Sequence, residues 1–156
     1  MKVLTGLIGL ALAALPLPAL AHNAAVESPI KAFIAAFNKG DMKGAAATHA
    51  ASPTIIDEVP PYHWFGAGAF NAWAAALAKD SAARGITEES VTISDSSREL
   101  ITGANAYVIV PAVYHFKQKG VAMAETAQFT FALHSANNRW KIVSWTWTGP
   151  DASPVK

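Results

Sequence analysis

The sequence predicts an α+β domain: three N-terminal helices packed on a strongly curved antiparallel sheet that forms a cone-shaped cavity. Two observations carry this. Apolar residues recur at helical spacing through the first half of the chain, and from Val91 onward they alternate with polar ones. Short polar turns separate the later segments, as in an antiparallel meander.

Ser28 suits an N-cap and Pro29 the first helical position. Ile30, Phe33, Ile34 and Phe37 then follow one buried stripe, and Gly40 ends the helix. Asp41 can cap a short second helix through about His49, with Pro53 breaking the chain after it. Thr54 to Asp57 reads as a short strand, and Val59 to Gly66, with Pro60 and Pro61, as an ordered loop. The third helix spans about Ala67 to Ala83, with Phe70, Trp73, Ala74 and Leu77 on one face and Gly85 as its stop. Strands follow at Val91–Ile93, Arg98–Thr102, Ala106–Phe116, Val121–His134 and Arg139–Thr148.

The first residues read as a signal peptide. Lys2 precedes an apolar run from Val3 to Leu15, Pro16 and Pro18 end it, and Ala19-Leu20-Ala21 gives the small-x-small pattern of a cleavage site. The run is shorter than the roughly 20 residues that a spanning helix needs. Residues 1–21 are therefore expected to be removed, and residues 22–156 to form a single domain, periplasmic or secreted. Losing 21 of 156 residues leaves 135, enough for one core. Of the 12 basic residues only Lys2 is in the leader, so the remainder carries 11 basic and 11 acidic residues. That balance lacks the basic face of a nucleic-acid binder and the polybasic signature of a membrane-surface protein. The absence of cysteine excludes thiol nucleophiles, thiolate zinc sites and iron–sulfur clusters. No two histidines stand at metal-binding spacing, and no dinucleotide or phosphate-loop fingerprint is present, so neither metal nor cofactor is expected.

Four motifs stand in order along the chain: Ala35 to Asp41, Thr54 to Glu58, Trp64-Phe65-Gly66 leading into a helix, and Arg139-Trp140-Lys141-Ile142. With the order of elements, they resemble the nuclear transport factor 2-like, or SnoaL-like, superfamily from about Val26 to Thr148. The resemblance implies the cone fold and a small-molecule pocket. The superfamily holds isomerases, dehydratases, cyclases and hydrolases beside pocket proteins without known chemistry. Within its ketosteroid isomerase branch, the aspartate closing the first-helix motif precedes the catalytic base by sixteen positions, and a glycine follows nine later. Asp41, Asp57 and Gly66 keep both intervals. The same alignment puts Phe33 and Ala127 where that branch has its two oxyanion donors, each typically worth about 10²–10³ in rate, so both donors are missing.

Asp57 is the candidate catalytic base, since a carboxylate in an apolar cavity has a raised pKa. The other reading makes it a cap on backbone N–H groups of the following loop. Asp57 and Glu58 are expected on opposite strand faces. His63, in the proline-stiffened loop, is the candidate partner that orients Asp57 or relays a proton. Phe33, Phe37, Trp64, Trp73, Tyr107, Tyr114 and Phe129 are the candidate ligand-binding residues, for an apolar or aromatic small molecule. Tyr107 and Tyr114 are seven apart, hence on opposite faces of an unbroken strand, and a bulge at Pro111 would reset that alternation. In the last strand Trp145 and Trp147 share a face with Val143, and with Phe129 and Phe131 they are expected to form an outer apolar patch for a homodimer; the alternative is a bulge in this strand that turns the tryptophans into the pocket. A non-enzymatic dimeric module with a side-chain-filled cavity is the alternative function. Mass spectrometry of the exported protein should show His22 as the first residue; an intact Met1 in the membrane fraction would reject export.

Overall fold

The computed structural model describes residues 23–155. The expected signal peptide, residues 1–21, and His22 lie outside the described residues. Helix α1 (Ala24–Asn38) starts earlier than Ser28 suggests, because the Asn23 side chain accepts from the backbone N–H groups of Ala25 and Val26. The earlier start brings the fully buried Val26 onto the stripe of Ile30, Phe33 and Ile34. Pro29 therefore sits inside the helix, where it forgoes one backbone bond. Helix α2 (Met42–Ala47) is capped by Asp41 as expected but stops before His49, and α3 (Ala69–Arg84) ends on Gly85, whose positive φ the left-handed cap requires.

Eight strands follow among the described residues: β1 (His49–Ile56), β2 (His63–Phe65), β3 (Ile86–Ile93), β4 (Arg98–Thr102), β5 (Asn105–Gln118), β6 (Val121–Ala136), β7 (Arg139–Thr148) and β8 (Ser153–Pro154). They form one open sheet ordered β2-β1-β7-β6-β5-β3, with β4 on β5 and β8 on β6. The sheet is mixed rather than antiparallel throughout, because β1 pairs in parallel with β7. Pro53 does not break the chain. It lies inside β1 where the β1–β7 register is irregular, a place where proline's missing donor is tolerated. The loop expected from Val59 to Gly66 contains β2, whose three residues pair with Thr54, Ile55 and Ile56.

Two expectations about alternation resolve in opposite ways. The pairing of β5 with β6 runs unbroken past Pro111, so there is no bulge there; Tyr114 faces the helices and Tyr107, 40% exposed, faces away. In β7, by contrast, Ile142 and Ser144 pair with the consecutive residues Leu133 and Ala132, which leaves Val143 as an extra residue. That bulge reverses the alternation. Trp145 (1% exposed) and Trp147 (9%) join Ile142 on the inner face, together with Phe129 and Phe131, and the expected outer tryptophan patch does not exist.

The core is aromatic and centres on Phe33, whose ring meets those of His49, Phe70, Trp73, Phe129 and Trp145 at centroid distances of 5.0–6.3 Å. Among the described residues His49 is the one buried imidazole. Trp145 Nε1 can only donate, so His49 Nε2 accepts it at 3.0 Å, and Nδ1 carries the proton toward the Ala45 carbonyl, 3.0 Å away. Burial holds this imidazole at about 4, below its ordinary 6.5, with the Ala45 bond opposing the shift. An unfolded chain takes up that proton as pH falls through 6.5 and the folded one does not, so this contribution is complete above 6.5 and lost on the way to about 4. Its size is about 3 kcal/mol. In denaturant titrations the stability gap between the wild type and His49→Phe should therefore shrink by about that amount from pH 7 to pH 4. A pH-independent gap would show that the imidazole is not buried neutral.

Candidate functional site

Between the inner sheet face and the helices lies a cavity of about 90 Å³. Helix α1 contributes Phe33, Ile34 and Phe37, all on its core stripe; α3 contributes Trp73, Leu77, Asp80, Ser81 and Arg84. The sheet supplies Val91, Tyr114, Glu125, Phe129, Trp145 and Trp147, and the turn after β1 supplies Asp57, Glu58 and Val59. Seven of the eighteen lining residues are aromatic. The polar groups are concentrated in the carboxylates.

Asp57 is set by the end of β1. Its N–H donates to the Tyr62 carbonyl, which closes the turn, and the Tyr62 N–H donates to the Val59 carbonyl at 2.7 Å. The carboxylate accepts the Glu58 backbone N–H at 2.7 Å through Oδ1 and the Trp73 indole N–H at 2.5 Å through Oδ2. Burial raises its pKa; those two bonds oppose the rise and Asp80 adds to it. Because β1 ends at Ile56, Asp57 and Glu58 lie in a turn rather than on a strand, and both line the cavity instead of pointing to opposite faces. Glu58 accepts the Gly149 N–H at 3.3 Å, and burial raises its pKa as well.

Glu125 is the third carboxylate. It stands on the inner face of β6, directly across from Tyr114, and accepts the Trp147 indole N–H at 2.6 Å. Burial is the main cause that pushes it up to about 6; Trp147 pulls it down, while Glu58 and Asp57 raise it. Gly149 fits against it closely: a Cβ there would stand 2.3 Å from Glu125 Oε1 and 2.9 Å from the Ala127 Cβ, so a side chain at this position would displace the carboxylate. Tyr114 donates to Glu89 at 2.6 Å, and burial, then Glu89, raises its pKa. The irregularity of β3 between Thr87 and Ser90, with Glu88 at positive φ, lies beside this contact.

Of the residues singled out in the sequence, Asp57, Phe33, Phe37, Trp73, Tyr114 and Phe129 line the cavity. Tyr107 is on the outer face, and Trp64 is buried in the core away from the cavity lining. His63 is an exposed β2 residue stacked on Phe65 at 6.0 Å and is not part of the lining, so the geometry does not join it to Asp57. Glu125 and Ser81 were missed, while Trp145 and Trp147 reach the cavity through the bulge that was the alternative to an outer patch. Glu125 had a signal: it is in phase with Ala127, Phe129, Phe131 and Leu133, a carboxylate on the apolar rail of an alternating strand.

No protein-family model matches the chain, and no curated protein sequence does. Solved structures do. A type 2 hexachlorocyclohexane dehydrochlorinase is similar with a TM-score of 0.71 and 12% identity, over 85% of this chain and 88% of that one. A ketosteroid isomerase-like protein from Erwinia carotovora atroseptica is similar with a TM-score of 0.60 and 19% identity, over 82% and 95%. A nuclear transport factor 2-like superfamily protein from Salmonella enterica serovar Typhimurium is similar with a TM-score of 0.65 and 16% identity, over 83% and 92%. The open mixed sheet, the helices on its inner face and these likenesses together show that the chain has the nuclear transport factor 2-like fold.

Proposed function

We propose that the cavity binds a small molecule with an apolar or aromatic body and removes a proton from it, Asp57 being the base and a leaving group departing in the same reaction. The observation that carries this is the state of Asp57: it opens on an aromatic cavity, only two donors hold it, and burial raises its pKa. A carboxylate has about four acceptor sites, so lone pairs remain for a substrate proton. The Asp57 oxygen takes the proton, the C–H electron pair becomes a double bond, and the leaving group departs with its own pair.

Elimination suits this cavity better than enolisation. An enolate oxygen needs donors, and Phe33 and Ala127 offer none. The names of two similar proteins, a dehydrochlorinase and a putative scytalone dehydratase, denote eliminations. The cavity volume is below the 300–1,000 Å³ typical of drug-sized ligands, which restricts the substrate to about one ring. The export expected from the leader places this activity in the periplasm or the medium. A homodimer through the outer sheet face would rest on the exposed cross-strand pair Leu100 and Tyr107 rather than on tryptophans. The small cavity volume favours the second reading, a side-chain-filled module in which Asp57 only caps the turn.

Halide release and loss of water from chlorinated and hydroxylated six-membered rings, compared between the wild type and Asp57→Asn, test the two readings. Catalysis predicts a loss of at least about 10²-fold in rate with stability nearly unchanged. A variant destabilised by about 1–3 kcal/mol, with no turnover by either protein, would make Asp57 a structural cap.

A further inference from the structure

The hydrogen-bonding inventory of the cavity is one-sided. Its indole donors serve the protein: Trp73 serves Asp57, Trp147 serves Glu125, and Trp145 serves His49. The Tyr114 hydroxyl hydrogen goes to Glu89. What is left over is acceptor capacity on the carboxylates of Asp57, Glu58 and Glu125, since each uses only part of its lone pairs. At these carboxylates a ligand carbonyl or carboxylate would meet acceptors only, at the cost of burying an unpaired polar group.

A second observation points the same way. Ser81 lines the cavity, is 5% exposed, and among the described residues its Oγ is buried without a hydrogen-bond partner. A buried hydroxyl left unpaired by the protein is a place for a ligand atom. Arg84, the one cationic side chain in the lining, is half exposed and paired with Asp80 at 3.2 Å; it favours ionised Glu58 and Glu125, but it is a single charge among four carboxylates. The walls facing those carboxylates are indole and phenyl rings, whose faces attract cations. The carboxylates themselves do not converge as a metal-holding group among the described residues.

We infer that the cavity takes a small organic cation, a primary ammonium on a body of about one ring, held by the Glu58 and Glu125 carboxylates and the Ser81 hydroxyl. The inference rests on the cavity being a ligand site and names the chemistry of that ligand. The ammonium brings three donors to these free acceptors, and its charge relieves the repulsion among Asp57, Glu58 and Glu125.

Calorimetric titration of the full chain at neutral pH with benzylamine, benzyl alcohol and benzoate tests it. Benzylamine, protonated there, should bind at least about tenfold more tightly than benzyl alcohol, with benzoate weakest. Glu125→Gln keeps an acceptor for Trp147 and should erase most of benzylamine's advantage over benzyl alcohol. Ser81→Ala should weaken benzylamine alone and leave the protein as stable or more so, because it deletes an unpaired buried group. Benzyl alcohol or benzoate binding as tightly as benzylamine would overturn the cation inference and leave the cavity reading standing. Binding of none of the three would overturn the ligand site itself.

Discussion

Trp145 donates its indole hydrogen to His49 Nε2 across 3.0 Å, with both side chains buried, and the aromatic core is arranged around that contact. The bond exists because β7 carries one extra residue at Val143. Without that bulge Trp145 and Trp147 would face outward. His49 would then lose its donor, and the inner sheet face would lose its two largest side chains. Burying a tryptophan removes about 150–250 Å² from water, so each contributes on the order of 4–6 kcal/mol. Phe33 packs tilted and Trp73 edge-on against Trp145, at 5.9 and 5.0 Å, so the position of both long helices follows from the direction of one strand side chain.

The same bulge builds the chemistry of the cavity. Trp147, carried inward with Trp145, reaches Glu125, and Gly149 beyond it leaves room for that carboxylate while donating to Glu58. Structure and function pull against each other here. Neutral His49 strengthens the fold as pH rises from 4 toward 6.5. Glu125, Glu58 and Asp57 do the opposite: their folded-state values are raised, so the stability they lend at low pH is lost as they ionise. Ionised carboxylates packed against indole rings cost stability, a cost that is kept where a site has use for the charge.

Local signals were legible and long-range ones were not. Gly85 marked the end of α3, Asp41 capped α2, and Arg139 to Thr148 matched β7 to the residue, because caps, glycine stops and turn residues act on their neighbours. Asp57 was legible through its spacing to Asp41 and Gly66. The parallel pairing of β1 with β7 joins segments some ninety residues apart and leaves no local trace. Val143 left a trace that pairing makes readable: the apolar positions shift there from Trp140 and Ile142 to Val143, Trp145 and Trp147, and the partner strand shows that one residue is surplus. His63 failed for a related reason: β2 holds it by pairing with Ile56, which turns its side chain to solvent beside Phe65.

Tryptophan is large enough to fill a small core, but its N–H must find an acceptor once buried. This chain buries three indoles near one cavity and satisfies each from within, with one imidazole and two carboxylates. Satisfying them orients Asp57 and Glu125 and removes the indoles from the set of groups that could grip a ligand. The carboxylates therefore stand in the cavity fixed in direction but only partly engaged. An apolar enclosure whose indole donors are spent and whose carboxylate acceptors remain discriminates by charge and by hydrogen-bond direction before it discriminates by shape.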